Sequence, residues 1–123
     1  MKKMLNLSNH VLTQEQVKEI YDMGYEIVEL TPEDKKIWGQ LNPDNYSDAV
    51  FRIMEDEDTR YQVEAYHIAG FPPAVVIAAC TANGLGLPSY YAYSERQSVE
   101  EKQSDGSIKK TNVFKHKGFF LYD

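Results

Sequence analysis

The stretch from His67 to Arg96 constrains the fold more than any other part of this chain. Tyr61–Ala69 is rich in strand-favouring residues, Gly70-Phe71-Pro72-Pro73 breaks the run, and Ala74–Asn83 is almost wholly apolar and helical. Gly84-Leu85-Gly86 closes that helix, and Pro88–Tyr93 returns as a strand ahead of the polar Ser94-Glu95-Arg96. A strand–helix–strand unit of about 30 residues predicts two parallel strands joined by a right-handed crossover. In such sheets ligands bind beyond the carboxyl ends of the strands, near a topological switch point. Gly70-Phe71-Pro72 and Ser94-Glu95-Arg96 both fall at that edge.

The flanking sequence supplies the rest of an α/β chain. Lys3–Leu7 alternates as a short strand and ends at Ser8-Asn9-His10. Thr13-Gln14-Glu15-Gln16 predicts a capping box that opens a helix with Val17, Ile20 and Tyr21 on its apolar stripe and Gly24 at its exit. Tyr25–Leu30 reads as a second strand. Thr31-Pro32 starts a helix that buries Ile37, Trp38 and Leu41, and Asn42-Pro43-Asp44-Asn45 turns into another over Tyr46–Glu55, with Ala49, Val50, Ile53 and Met54 facing inward. Downstream, Ser98–Gln103 and Ile108–His116 flank Ser104-Asp105-Gly106-Ser107, a strong hairpin signal. The tail Gly118-Phe119-Phe120-Leu121-Tyr122 is apolar enough to pack on the domain or on a second subunit. The expected fold is α/β: a single domain over residues 1–123 with a Rossmann-like, mainly parallel sheet in the order 2-1-3-4, helices on both faces and a C-terminal β-hairpin.

Composition narrows the functional classes. At 123 residues, 42% hydrophobic and 26% charged, the chain has the make-up of one ordinary globular domain. Cys80 is the single cysteine, so no intrachain disulfide forms and a reducing, cytoplasmic setting is expected; its place among Ala78, Ala79 and Ala82 suits a small hydrophobe. No 18-residue apolar run predicts a membrane span. Residues 15–64 carry 14 acids and 5 bases, a net of −9, and the other positions 5 acids and 8 bases, a net of +3. The run Glu55-Asp56-Glu57-Asp58 reads as a solvated helical face. With no broad basic face, duplex nucleic acid is not an expected partner, although a local pocket for a small anion stays open. Of the nine tyrosines, some are expected at a cleft or interface, others half-buried on strands.

Three segments carry candidate chemistry, each with a plain structural alternative. Ser8-Asn9-His10 lies where a strand gives way to a helix, a natural anion-binding edge or simply a capped turn. Gly70-Phe71 offers close backbone approach and Pro72 opens a helix; the alternative is a sharp turn. Ser94-Glu95-Arg96 presents a guanidinium fork suited to phosphate, or else a surface ion pair. Lys109, Lys110, Lys115, His116 and Lys117 could complete an anion pocket or form a solvated strand face. There is no GxGxxG and no GxxxxGK[ST], so no nucleotide cofactor is expected. His10, His67 and His116 lie far apart in sequence without metal-ligand spacing, so no metal is expected either; His67 reads as a hydrogen-bonded core histidine.

The opening Leu5-Asn6-Leu7-Ser8-Asn9-His10 with Leu12-Thr13-Gln14-Glu15-Gln16 resembles small single-domain proteins of type III CRISPR systems, the CRISPR-associated Rossmann-fold (CARF-like) ring nucleases. So does Tyr90-Tyr91-Ala92-Tyr93-Ser94-Glu95-Arg96 with Val99-Glu100-Glu101, Asp105-Gly106 and Val113-Phe114-Lys115-His116. The resemblance covers both ends and most of the last third, and leaves residues 31–60 out. It implies a homodimer that binds a cyclic oligoadenylate, tetra-adenylate foremost, and cleaves it without metal: a ribose 2′-hydroxyl attacks the adjacent phosphorus and leaves a 2′,3′-cyclic phosphate. On this resemblance Arg96 stabilises charge and His10 is the acid–base group. Ser8, Asn9, Gly70, Phe71, Ser94 and Glu95 contact the ligand, with backbone N–H groups at Gly70 and after Pro73. Two departures stand out: Phe71-Pro72 where the family often has an acidic residue, and Lys117-Gly118-Phe119-Phe120 where it often has an arginine-bearing strand. They leave two other readings open, a non-catalytic binder of the same ring and a small α/β protein-interaction subunit.

Overall fold

A computed structural model describes residues 1–122. The described residues form five strands and four helices: β1 (Lys2–Leu7), α1 (Gln14–Asp22), β2 (Tyr25–Glu29), α2 (Pro32–Gly39), α3 (Tyr46–Tyr61), β3 (Ala65–Ile68), α4 (Pro72–Gly84), β4 (Ser89–Lys102) and β5 (Ile108–Leu121). The sheet runs β2-β1-β3-β4-β5, parallel except for the antiparallel β4–β5 hairpin. The α/β class and the strand order expected from the crossover pattern are both observed. No described helix is long and apolar enough to cross a membrane.

Strand alternation divides the core in two. Leu5, Leu7, Tyr66 and Ile68 face α2, α3 and α4 and pack with Trp38, Val50, Ile53 and Ala78. Met4 and Ala65 face the other way and pack with Ile20 of α1 and Phe119 of β5. Asn6 and His67 stand directly opposite each other in the β1–β3 register. Each is two residues along from Met4 and Ala65, so both lie on the α1 face. The local starts follow the sequence signals: Thr13 and Gln16 form a capping box on α1, and the Thr31 hydroxyl caps α2 with Pro32 at its first turn.

Four expectations are corrected. The helix after Asn45 does not stop near Glu55; it continues to Tyr61 and ends on Gln62 in the left-handed region, which shortens β3 to Ala65–Ile68. On that longer helix the stripe Val50, Ile53, Met54 repeats at Glu57, whose side chain is therefore buried (0% exposed) rather than solvated. Cys80 is exposed, because the buried stripe of α4 is Ala74, Ala78 and Ala82. Pro88–Tyr93 and Ser98–Gln103 are not separate strands: Ser94-Glu95-Arg96 continues the ladder, and the hairpin arms run 14 residues each around the expected Asp-Gly turn.

That hairpin bends at a register shift. Tyr93 pairs with Gly118 but Ser94 pairs with His116, so Lys117 is the extra residue of a bulge. Gly118 sits there with φ of 149°, and a Cβ on it would lie 3.2 Å from Glu19 Oε1. Glu19 of α1 fastens this corner by accepting from His116 Nε2 (2.7 Å) and the Phe119 backbone N–H (3.2 Å). Gln16 Nε2 donates to the other ring nitrogen of His116 (3.3 Å). Beyond Ser94 the two arms pair chiefly with each other.

Candidate functional site

A cleft of about 650 Å³ opens at the carboxyl edge of the sheet, between the loop after β1 and the start of α4. One wall is apolar, from Pro72, Val75 and Val76 of α4 with Tyr91 and Tyr122. The other is polar, from His10, Gln16, His67 and Ser94. Ile68, Ala69 and Gly70 form the floor. The floor is rigid for a local reason: Trp38 Nε1 donates to Ala69 O (3.0 Å), and Gly70 has φ of 149° with Trp38 Nε1 only 2.8 Å from where a Cβ would stand. Only glycine fits that turn without strain.

Behind the polar wall is a hydrogen-bond network on the α1 face. Asn6 Nδ2 donates to His10 O (3.0 Å) and to Glu29 Oε1 (2.9 Å), which fixes the orientation of the amide. Its Oδ1 then accepts from Ser8 Oγ (2.6 Å) and from His67 Nδ1 (2.9 Å). Because an amide oxygen only accepts, His67 must carry its proton on Nδ1. Nε2 is left as an acceptor, with no hydrogen-bond partner among the described residues. His67 is 2% exposed, and burial, with the positive potential of His10 and His116, pushes it down to about 4. The ring is neutral at pH 7, and it meets Phe119 edge-on at 5.5 Å.

The structure brings four of the sequence candidates to this cleft: His10, Gly70 and Ser94 line it, and Ser8 supports it from behind. The others lie elsewhere. The Asn9 amide staples the loop to α2, its nitrogen facing Lys35 O (3.0 Å) and its oxygen the Gly39 N–H (3.2 Å). Phe71 packs its ring against Tyr46 (5.9 Å). Glu95 pairs with Lys117 (3.2 Å) at the bulge. Arg96 is exposed and stands opposite Phe114, on the same strand face as Ser94 but two residues farther out, beyond the cleft lining.

The expected phosphate cradle is corrected on three points. After Pro73, the N–H groups of Ala74 and Val75 both bond Phe71 O (2.9 and 3.0 Å), and the two prolines before them have none. At α1 the Gln16 and Val17 N–H groups are taken by Thr13. Lys110, His116 and Lys117 do not form an anion pocket: they pair with Glu100, Glu19 and Glu95. Among the described residues no lysine or arginine lines the cleft, so its polar wall is built from neutral donors and acceptors and the two histidines. Among the described residues no three His, Cys, Asp or Glu side chains gather closely enough to hold a metal ion.

Sequence reasoning missed Asn6, Gln16, Tyr91 and Tyr122 as site residues. Asn6 left a signal, an amide inside the otherwise apolar Met4-Leu5-Asn6-Leu7, which is costly to bury without partners. Gln16 was legible only as a capping residue, because its place on the cleft depends on where α1 docks. No curated protein matches the chain. A protein-family model covers residues 2–120, nearly the whole of the described fold, and on that match the chain belongs to the uncharacterized protein MJ1673 family.

Proposed function

We propose that the chain is a ring nuclease that binds cyclic oligoadenylate, tetra-adenylate foremost, in the carboxyl-edge cleft and opens it without metal. The observation that carries this reading is the two-sided cleft. Its apolar and tyrosine-bearing wall suits a planar base, and its histidine and serine wall suits a ribose and its phosphodiester. The resemblance of the β1–α1 segment and of the Tyr90–Arg96 segment to CARF-like ring nucleases supports the same ligand. A cleft of this volume takes a ligand of mononucleotide size, so a ring requires a second copy of the chain, and the reading includes a homodimer. Phosphate charge is assigned to Arg96, on the strand face that leads out from Ser94, and to His10. In-line attack of a 2′-hydroxyl needs positioning, charge stabilisation and proton transfer, all within reach of such side chains.

The test is incubation with labelled cyclic tri-, tetra- and hexa-adenylate in EDTA, with products resolved by chromatography. Linear products ending in a 2′,3′-cyclic phosphate are expected. Intact rings that still retard the protein would replace this reading with a non-catalytic binder. A second reading has its own support: Phe120 meets Tyr91 at 6.0 Å and Tyr93 edge-on at 6.1 Å, and all three rings are 37–48% exposed at the hairpin root. Such a patch suits a protein-interaction subunit. Intact rings with no complex would favour it.

A further inference from the structure

We propose that His67, not His10, is the proton acceptor of the cleft, and that Asn6 is the positioning residue that sets its tautomer. This rests on the reading of the cleft as a site for a ribonucleotide phosphodiester. The argument is geometric. Asn6 has both amide hydrogens committed, to Glu29 and to the backbone of His10, so its oxygen cannot exchange roles with its nitrogen. The Nδ1–H of His67 is thereby held at 2.9 Å from that oxygen, and the ring contributes to the cleft wall with its lone-pair nitrogen uncommitted. Ser8 donates to the same oxygen at 2.6 Å and leaves no room for a competing donor. A histidine oriented through one nitrogen by a fixed acceptor, with the other nitrogen free, has the arrangement of a general base.

The step it would serve balances as follows. The 2′-hydroxyl proton passes to His67 Nε2 as the O2′–P bond forms. The P–O5′ bond breaks, and the departing 5′-oxygen takes a proton from the His10 imidazolium. Both rings then return to their starting states by exchange with solvent. Burial keeps His67 in its neutral form well below pH 7, which makes it the base of the pair. The titratable groups around it are His10 on the β1–α1 loop, Glu29 of β2 acting through Asn6, and His116 of β5 with its Glu19 partner on α1.

Long-range proton–nitrogen NMR on the uniformly labelled wild-type chain tests the tautomer without any ligand. A protonated Nδ1 and bare Nε2 at His67 are expected from about pH 5.5 to 8, with a mixture of tautomers in Asn6→Ala. A protonated Nε2, or titration near the ordinary histidine value, would overturn the proposal. The second arm compares wild type, His67→Gln and His10→Gln on cyclic tetra-adenylate in EDTA. His67→Gln is expected to lose at least about 100-fold in kcat with ring affinity kept, and the acid limb of the wild-type profile should fall near pH 4 rather than 6.5. Undiminished turnover in a folded His67→Gln would overturn the assignment. If wild type leaves the ring intact, the ring-nuclease reading falls, and the NMR result alone decides whether His67 is the acceptor of the cleft.

Discussion

Replacing Glu57 with Gln should stabilise this protein at neutral pH and do almost nothing at pH 4.5. Glu57 is buried between α3 and the start of α2; its Oε1 accepts weakly from the Thr31 N–H (3.4 Å), and its Oε2 has no hydrogen-bond partner among the described residues. Burial first, then the neighbouring Asp34 carboxyl, which can share a proton with Glu57 and adds its like charge, push Glu57 up to about 6, while the Thr31 N–H and Arg60 at 3.7 Å pull the other way. An acid whose folded value lies above its unfolded one stabilises the fold while protonated. That contribution is complete below pH 4.5 and is lost as pH rises through 6. The shift from 4.5 to about 6 is worth about 2 kcal/mol, the cost of keeping an ionised Glu57 at pH 7.5. Gln has nearly the same shape, accepts from Thr31 and donates to Asp34, and gives up only a half-exposed Arg60 contact worth a few tenths of a kcal/mol. The expected gain is therefore about 1–2 kcal/mol at pH 7.5, or a Tm rise of roughly 4–8 °C for a chain of this length. Urea melts of both proteins at pH 4.5, 6 and 7.5 measure it as a difference. The difference matters because His67 acts with the opposite sign: its value falls from 6.5 to about 4, so its contribution of about 3 kcal/mol is lost on acidification through that window. Glu57→Gln that destabilises equally at all three pH values would refute the reasoning and mean that the carboxylate is ionised and well paired.

Other outcomes follow from the same contacts. Gly70→Ala forces a side chain into positive φ against the Trp38 indole and should cost about 1–3 kcal/mol in a urea melt. Glu19→Ala removes the acceptor shared by His116 and Phe119; a loss of about 1.5–3 kcal/mol and faster amide exchange at Phe119 are expected. Tyr122→Phe deletes the hydroxyl that donates to Ile68 O at 2.7 Å and should cost about 0.5–1.5 kcal/mol, measured by thermal melt. Arg96→Ala should leave stability within about 0.5 kcal/mol while weakening cyclic tetra-adenylate binding roughly 10- to 100-fold by titration.

The sheet order was legible because one crossover unit and two capped helix starts leave few ways to wind the strands. Boundaries failed where tertiary packing overruled local pattern. Four consecutive acids looked solvated, yet helical period carries Glu57 onto the stripe of Val50 and Ile53. The polar Ser94-Glu95-Arg96 looked like a strand end, yet pairing with His116, Lys115 and Phe114 carries the ladder through it. At the site, chain position alone brought His10, Gly70 and Ser94 to the right edge. The spent N–H groups of Ala74 and Val75 and the diversion of Asn9 toward Lys35 and Gly39 depend on partners distant in sequence or on hydrogen-bond detail that residue type does not reveal.

The bulge at Lys117 bears on how this protein can change length. His116 and Phe119 are three residues apart, and regular alternation would send them to opposite faces of the sheet; one inserted residue lets both face α1, where Glu19 accepts from the ring of one and the backbone of the other. Loss of a single residue between them would not shorten a loop harmlessly. It would remove the bulge, leaving His116 two residues from Phe119 on the same face but straightening the ladder, so that the bend bringing both to Glu19 is lost. By contrast, removing a matched pair from the two arms beyond Arg96 leaves the bulge and the cross-strand partners of the remaining residues intact. Relatives of this chain should therefore vary in hairpin length by even, paired steps, and hold fixed the spacing from His116 to Phe119.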